Sequence, residues 1–109
     1  MELDLMTELN QKSQALDRAV KQLRKSAFDY AQARHDYRVA IATETLKLRD
    51  KGTKVTVIAD LVRGTPEVAK LGMQEIITKG VYEANQESIQ ALKLQIRLLD
   101  AQIQREWHS

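Results

Sequence analysis

The chain contains no cysteine, which removes a disulfide framework, a thiolate nucleophile and a cysteine-based zinc site, and suits a reducing compartment. Its only histidines, His35 and His108, stand far apart in sequence, so neither a histidine metal set nor a nucleophilic triad is readable. Carboxylates such as Glu83 with Glu87, or Asp17 with Glu44, lack the Glu-x-x-His companion of a di-iron bundle. The run Gly64-Thr65-Pro66 is not part of a glycine-rich phosphate loop with its Lys and Ser or Thr. Aromatic residues make up 5% of the chain, and the three tyrosines fall on helical seams, where they read as amphipathic core residues rather than base-stacking platforms. No apolar run approaches membrane-spanning length. The opening MELDLMTELN carries acids where a secretory signal carries bases. These absences predict a soluble, cytoplasmic, non-enzymatic protein with no catalytic residue, cofactor, metal, small-molecule substrate or membrane association.

What is present is helical pattern. Apolar residues form 43% of the 109-residue chain and charged residues 29%, with a single proline, a composition typical of soluble helix-rich proteins. Leu9, Leu16, Leu23, Tyr30 and Tyr37 recur every seven residues, with Val20, Ala27, Ile41 and Leu48 offset by four along the same series. Ala19, Ala33 and Ala40 lie beside this seam, small enough to admit a neighbouring helix. The pattern predicts a first helix over residues 4–51, ended by Gly52 in the left-handed conformation.

A second long helix is predicted over residues 66–106. Thr65-Pro66-Glu67 supplies a cap, a proline suited to the first helical position and an acid at the positive end of the dipole. Its seam is Val68, Leu71, Tyr82, Ile89, Leu92, Ile96, Leu99 and Ile103. Gly72 and Gly80 each weaken a helix interior by about 1 kcal/mol relative to Ala and mark either a bend or close packing.

Between them, Val55, Ile58, Leu61 and Val62 are spaced as one face of a short helix over residues 55–63, with Thr53 or Thr56 as its cap and Gly64 as its stop. Val55-Thr56-Val57 also alternates as a strand would, but no other segment alternates to pair with it. The expected role of the short helix is to fold over the open end of the hairpin and bury Ile58 and Leu61. The predicted architecture is therefore all-α: one helical domain spanning residues 1–109, a long, coiled-coil-like hairpin with a short helix at the connection.

The second long helix has another apolar side. At about 100° per residue, Ile76, Ala84, Ala91, Leu94, Leu98 and Ala101 fall far from the Ile89, Ile96, Ile103 seam. Phe28, Val39, Ala42 and Leu46 form a weaker counterpart on the first helix. A two-helix hairpin buries one stripe of each helix, so the leftover stripe predicts a dimeric or higher helical bundle with the second helix near its centre.

Charge is uneven along the chain. The net charge of +2 includes −3 over residues 1–11, +6 over residues 12–54 and −1 over the remainder. Lys47, Arg49, Lys51, Lys54, Arg63 and Lys70 gather around the interruption as candidate phosphate contacts. The run IADLVRGTPEVAKL also has some flavour of a helix-turn-helix, but Gly64 lies five residues after Ala59 where that motif places its turn glycine four on. Val68 and Leu71 are moreover needed for the seam, and the supposed recognition helix would continue for about forty residues as a packing helix.

The segment VIADLVRGTPEVAKL, Val57 to Leu71, followed by a tyrosine-containing second helix and a terminal Gln-Arg-Glu-Trp, resembles small helical proteins of Gram-positive bacteriophages and prophages. That resemblance implies a phage setting in the host cytoplasm, beside recombination or single-strand-binding functions, and brings no catalytic residues. Small secreted helical-hairpin proteins with a Trp-x-Gly turn share the length, but the only tryptophan here is Trp107, and Gln86 stands four residues beyond Tyr82 where their export signal has an acid. The expected function is a homo-oligomeric bundle that binds a phage or host protein. The alternative is a nucleic-acid-binding accessory protein of phage recombination or replication that uses the basic first helix and the tip.

Overall fold

A computed structural model of the chain describes residues 2–108, the side chain of Glu2 excepted. The described residues form three helices and no strand: α1 (Glu2–Asp50), α2 (Val55–Gly64) and α3 (Pro66–Trp107). The fold is all-α, a long helical hairpin with a short helix at its connection. The backbone groups into two compact units. One joins the start of α1, through Lys25, to the end of α3, from Tyr82; the other is Ser26–Val81.

α1 runs unbroken because no glycine or proline interrupts residues 2–50. Its end is fixed by backbone geometry. Gly52 adopts φ 79°, its N–H donates to the Arg49 carbonyl at 3.0 Å, and the Thr53 N–H reaches back to the Leu48 carbonyl at 3.0 Å. This is the paired hydrogen-bond pattern of a Schellman motif, which satisfies carbonyls that would otherwise lack partners.

The expected caps of α2 are corrected by the structure. Neither Thr53 nor Thr56 holds the N-cap: Lys54 does, with φ −60°, ψ 131° and no side-chain hydrogen bond. The Lys54 carbonyl accepts the Val57 N–H at 3.1 Å, so the N-cap of α2 falls one residue beyond Thr53. Gly64 is the last residue of α2 rather than its stop. The stop is Thr65, which Pro66 holds extended at φ −63°, ψ 127°. Thr65 immediately precedes α3, and its hydroxyl donates back to the Leu61 carbonyl at 2.9 Å. Its backbone carbonyl begins α3 by accepting the Ala69 N–H at 2.8 Å.

In the Ser26–Val81 unit, Ile58, Val62 and Val68 form the buried core, with Tyr37, Ala40, Ile41 and Leu48 of α1 packed against it. Burying a side chain of this size is worth about 1.5–3 kcal/mol relative to leaving it in water. α2 therefore covers the hairpin end, but it sits on the edge formed by Ile58 and Val62. Leu61, expected to be buried, is 49% exposed, while Val62 is 1% exposed. Ile58 and Val62 lie about 40° apart around the helix, whereas Leu61 lies about 100° from Val62 and turns outward.

Gly72 is a point of close packing. A Cβ at this position would lie 3.0 Å from Tyr37 Cε1 and 3.2 Å from Cζ, whereas one at Gly80 would meet nothing within 4 Å. The absent side chain at Gly72 leaves room for the Tyr37 ring.

The seam of α1 has a column of small residues, Ala19, Ser26, Ala33 and Ala40, seven apart, with Ser26 and Ala33 buried. On α3, Glu75, Thr78 and Asn85 complete the three-and-four spacing between Leu71 and Ile89, and all three are half-buried. In the unit that contains the chain ends, Asn85 Nδ2 donates to the Gln22 carbonyl at 3.4 Å, a polar tie between α3 and α1. Ile89 and Ile103 are buried in that same unit.

Candidate interaction surfaces

The helical angles that bury one side of α3 display the other. Ile76, Ala84, Ala91, Leu94, Leu98 and Ala101 are all exposed, with Ile76 at 73%, Leu94 at 50% and Leu98 at 61%. Between Ala84 and Arg105 the stripe is itself a seam with heptad spacing. Ala84, Ala91, Leu98 and Arg105 form one series, and Glu87, Leu94 and Ala101 form the other. All of these residues lie in the unit that contains the chain ends. On α1, Phe28, Val39, Ala42 and Leu46 are likewise exposed.

The candidate phosphate contacts Lys47, Arg49, Lys51, Lys54, Arg63 and Lys70 are all exposed, but they do not form one site. Arg49 and Arg63 line a cleft of about 230 Å³ between α1 and α2, floored by Ile41, Val55, Ile58, Ala59 and Val62 and edged by Thr45. Lys47 instead lines a groove between α1 and α3 beside Glu44, Glu67 and Asp36, where carboxylates offset its charge. Lys51 lies in the turn after α1, and Lys54 is the N-cap of α2. Arg34, Arg38 and His35 line a further shallow depression along α1, together with Tyr30, Ala31, Val39 and Ala42. Reading charge along the chain overlooks this arginine flank. Plotting the same residues around the helix axis reveals it, because Arg34, Arg38 and Arg49 recur near one angle.

At the start of α3, Val68 is 3% exposed and Leu71 is half-buried, while Pro66, Glu67, Ala69 and Lys70 are exposed. His35 Nδ1 lies 3.4 Å from Asp36 Oδ1, an exposed contact in which Asp36 also accepts from Gln32 Nε2 at 2.9 Å. Among the described residues, no three His, Asp or Glu side chains gather to hold a metal ion. No helix formed by these residues is long and apolar enough to cross a membrane.

No protein-family model matches the chain, and no curated protein or solved structure matches it.

Proposed function

We propose that the protein is a non-enzymatic interaction module: a homo-oligomeric helical bundle, joined through the outer side of α3, that engages a protein partner of phage or host origin. The observation that carries this reading is the second heptad seam from Ala84 to Arg105, solvent-facing on a helix whose first seam is already occupied. Such spacing is suited to a partner helix, and burying each exposed leucine in one yields about 1.5–3 kcal/mol. The phage setting draws on the resemblance of the Val57–Leu71 segment. The exposed apolar residues of α1 leave surface for a further protein.

Charge selects the geometry of the joint. Glu87 stands near one end of the seam and Arg105 at the other. A parallel, in-register pair would set Glu87 against the partner's Glu87, and Arg105 against the partner's Arg105. An antiparallel pair places Glu87 opposite the partner's Arg105, Ala91 opposite the partner's Ala101 and Leu94 opposite the partner's Leu98. Two leucine layers then fill the centre, flanked by alanine layers and closed at both ends by opposite charges. Slipping this register by one heptad would set Leu98 against the partner's Glu87 and force a carboxylate into the apolar layer. Ile76 lies outside this register.

Sedimentation measurements test the joint. Leu94→Asp with Leu98→Asp is expected to give a folded species of half the wild-type mass. Glu87→Arg and Arg105→Glu are each expected to weaken association, and their combination to restore it. A wild-type chain that stays monomeric at high concentration, or a double-aspartate variant of unchanged mass, would remove the joint from this face.

A further inference from the structure

In the Ser26–Val81 unit, the charges of α1 are sorted by side. At about 100° per residue, Arg34, Arg38, Thr45 and Arg49 fall within an arc of about 60°, with Ala31 and Ala42 beside them. Asp29, Asp36 and Asp50 point more than about 90° away from the centre of that arc. Arg63 of α2 faces the same cleft as Arg49. These arginines are all exposed, and among the described residues none forms an ion pair with a carboxylate. The flank is thus a line of available guanidinium groups on two helices, with Tyr30, Val39 and Ala42 beside Arg34 and Arg38 and an apolar floor of Ile41, Val55 and Ile58 in the cleft that Arg49 and Arg63 line.

We propose that this flank binds the phosphate backbone of a nucleic acid. Guanidinium groups present paired N–H donors that match phosphate oxygens, and they stay charged throughout the physiological range. Arg34 and Arg38 are one helical turn apart, about 6 Å along the axis, and Arg49 continues the row about 16 Å further on. The row is suited to phosphates before base edges, because its arginines are spread along α1 and α2 and Tyr30, which lines the same depression, is half-buried. Four exposed arginines that lack carboxylate partners among the described residues favour a polyanion over an apolar helical partner. This site goes beyond the self-association reading and lies on different residues.

Anisotropy of a labelled oligonucleotide of about 20 nucleotides, as a single strand and as its duplex, tests the proposal. With Arg34, Arg38, Arg49 and Arg63 each neutralising one phosphate, duplex affinity should fall about 150-fold between about 50 and 200 mM salt, and single-strand affinity about 50-fold. Arg34→Gln with Arg38→Gln should reduce the duplex change to about 12-fold, and Arg49→Gln with Arg63→Gln should do the same. Lys47→Gln with Lys70→Gln removes equal charge from outside the flank and should leave the salt dependence near wild type. Circular dichroism verifies that each variant folds. No binding of either oligonucleotide at about 50 mM salt, or equal losses in the lysine and arginine pairs, would overturn the proposal. Affinity for polyglutamate without affinity for either oligonucleotide would also overturn it and direct the flank to an acidic protein.

Discussion

The contact between Gly72 and Tyr37 yields a prediction whose sign differs between two chemically identical substitutions. Gly→Ala in a helix interior gains about 1 kcal/mol from propensity and the reduced freedom of the unfolded chain. At Gly80 a methyl group meets nothing within 4 Å, so Gly80→Ala should keep most of that gain. At Gly72 the methyl would lie 3.0 Å from Tyr37 Cε1, where carbon atoms at optimal separation stand about 3.5–4.0 Å apart. The ring must withdraw by about half an ångström, and Tyr37 packs against the cluster of Ile58, Val62 and Val68. Overpacking of this kind costs about 1–3 kcal/mol, so Gly72→Ala should range from neutral to destabilising by about 2 kcal/mol.

The two variants should therefore differ by about 1–3 kcal/mol. For 109 residues, 1 kcal/mol corresponds to about 4 °C in Tm, which makes the expected separation roughly 4–12 °C. Thermal melts followed by circular dichroism measure it, repeated over a range of protein concentrations because association adds to apparent stability. In a Tyr37→Ala background, Gly72→Ala should become as favourable as Gly80→Ala, which isolates the pair as a coupling energy. Equal increases in Tm for Gly72→Ala and Gly80→Ala in the wild-type background would refute the close-packing argument.

Two further substitutions probe the hairpin end. Ile58→Asp buries a carboxylate beside Val62 and should destabilise by about 3 kcal/mol or more, whereas Leu61→Asp, on the outer side of the same helix, should cost about 1 kcal/mol or less in denaturant titration. Comparable losses would mean that α2 is not seated on the Ile58–Val62 edge. Gly52→Ala forces a side chain into the left-handed region and should lower stability by about 1–2 kcal/mol, with earlier amide exchange at Thr53; unchanged exchange would count against the Schellman closure of α1.

The hairpin was legible because apolar residues at three-and-four spacing specify which side of a helix is buried, wherever the partner comes from. Leu16, Leu23, Ile89 and Ile103 needed no other information. The polar members of the same seams, Ser26 on α1 and Glu75, Thr78 and Asn85 on α3, were missed because an apolar criterion passes over them, although their spacing alone would have placed them. The choice between Leu61 and Val62 was of another kind. They are adjacent, about 100° apart on a short helix, and only the docking of α2 against Ile41 and Leu48 decides which is buried. The caps likewise depended on competition for single groups. Thr53 could not be excluded as the cap of α2 until the Lys54 carbonyl was seen accepting the Val57 N–H, and nothing in the sequence shows that the Thr65 hydroxyl donates back to Leu61.

The two candidate surfaces differ in the force each is suited to use, and this makes them separable. The outer seam of α3 offers Leu94 and Leu98 with opposite charges toward its ends, a pattern in which area supplies affinity and charge sets direction. The arginine flank of α1 and α2 offers charge first, so an affinity based on it would fall with salt, while a joint between chains on the α3 seam would change little. A dimer would also carry two flanks, and an oligonucleotide long enough to reach both would bind more tightly than one that reaches a single flank. Leu94→Asp with Leu98→Asp should then remove the advantage of the longer oligonucleotide while leaving the salt dependence of the shorter one intact. Loss of affinity for the short oligonucleotide in that variant would show that the two surfaces are not independent.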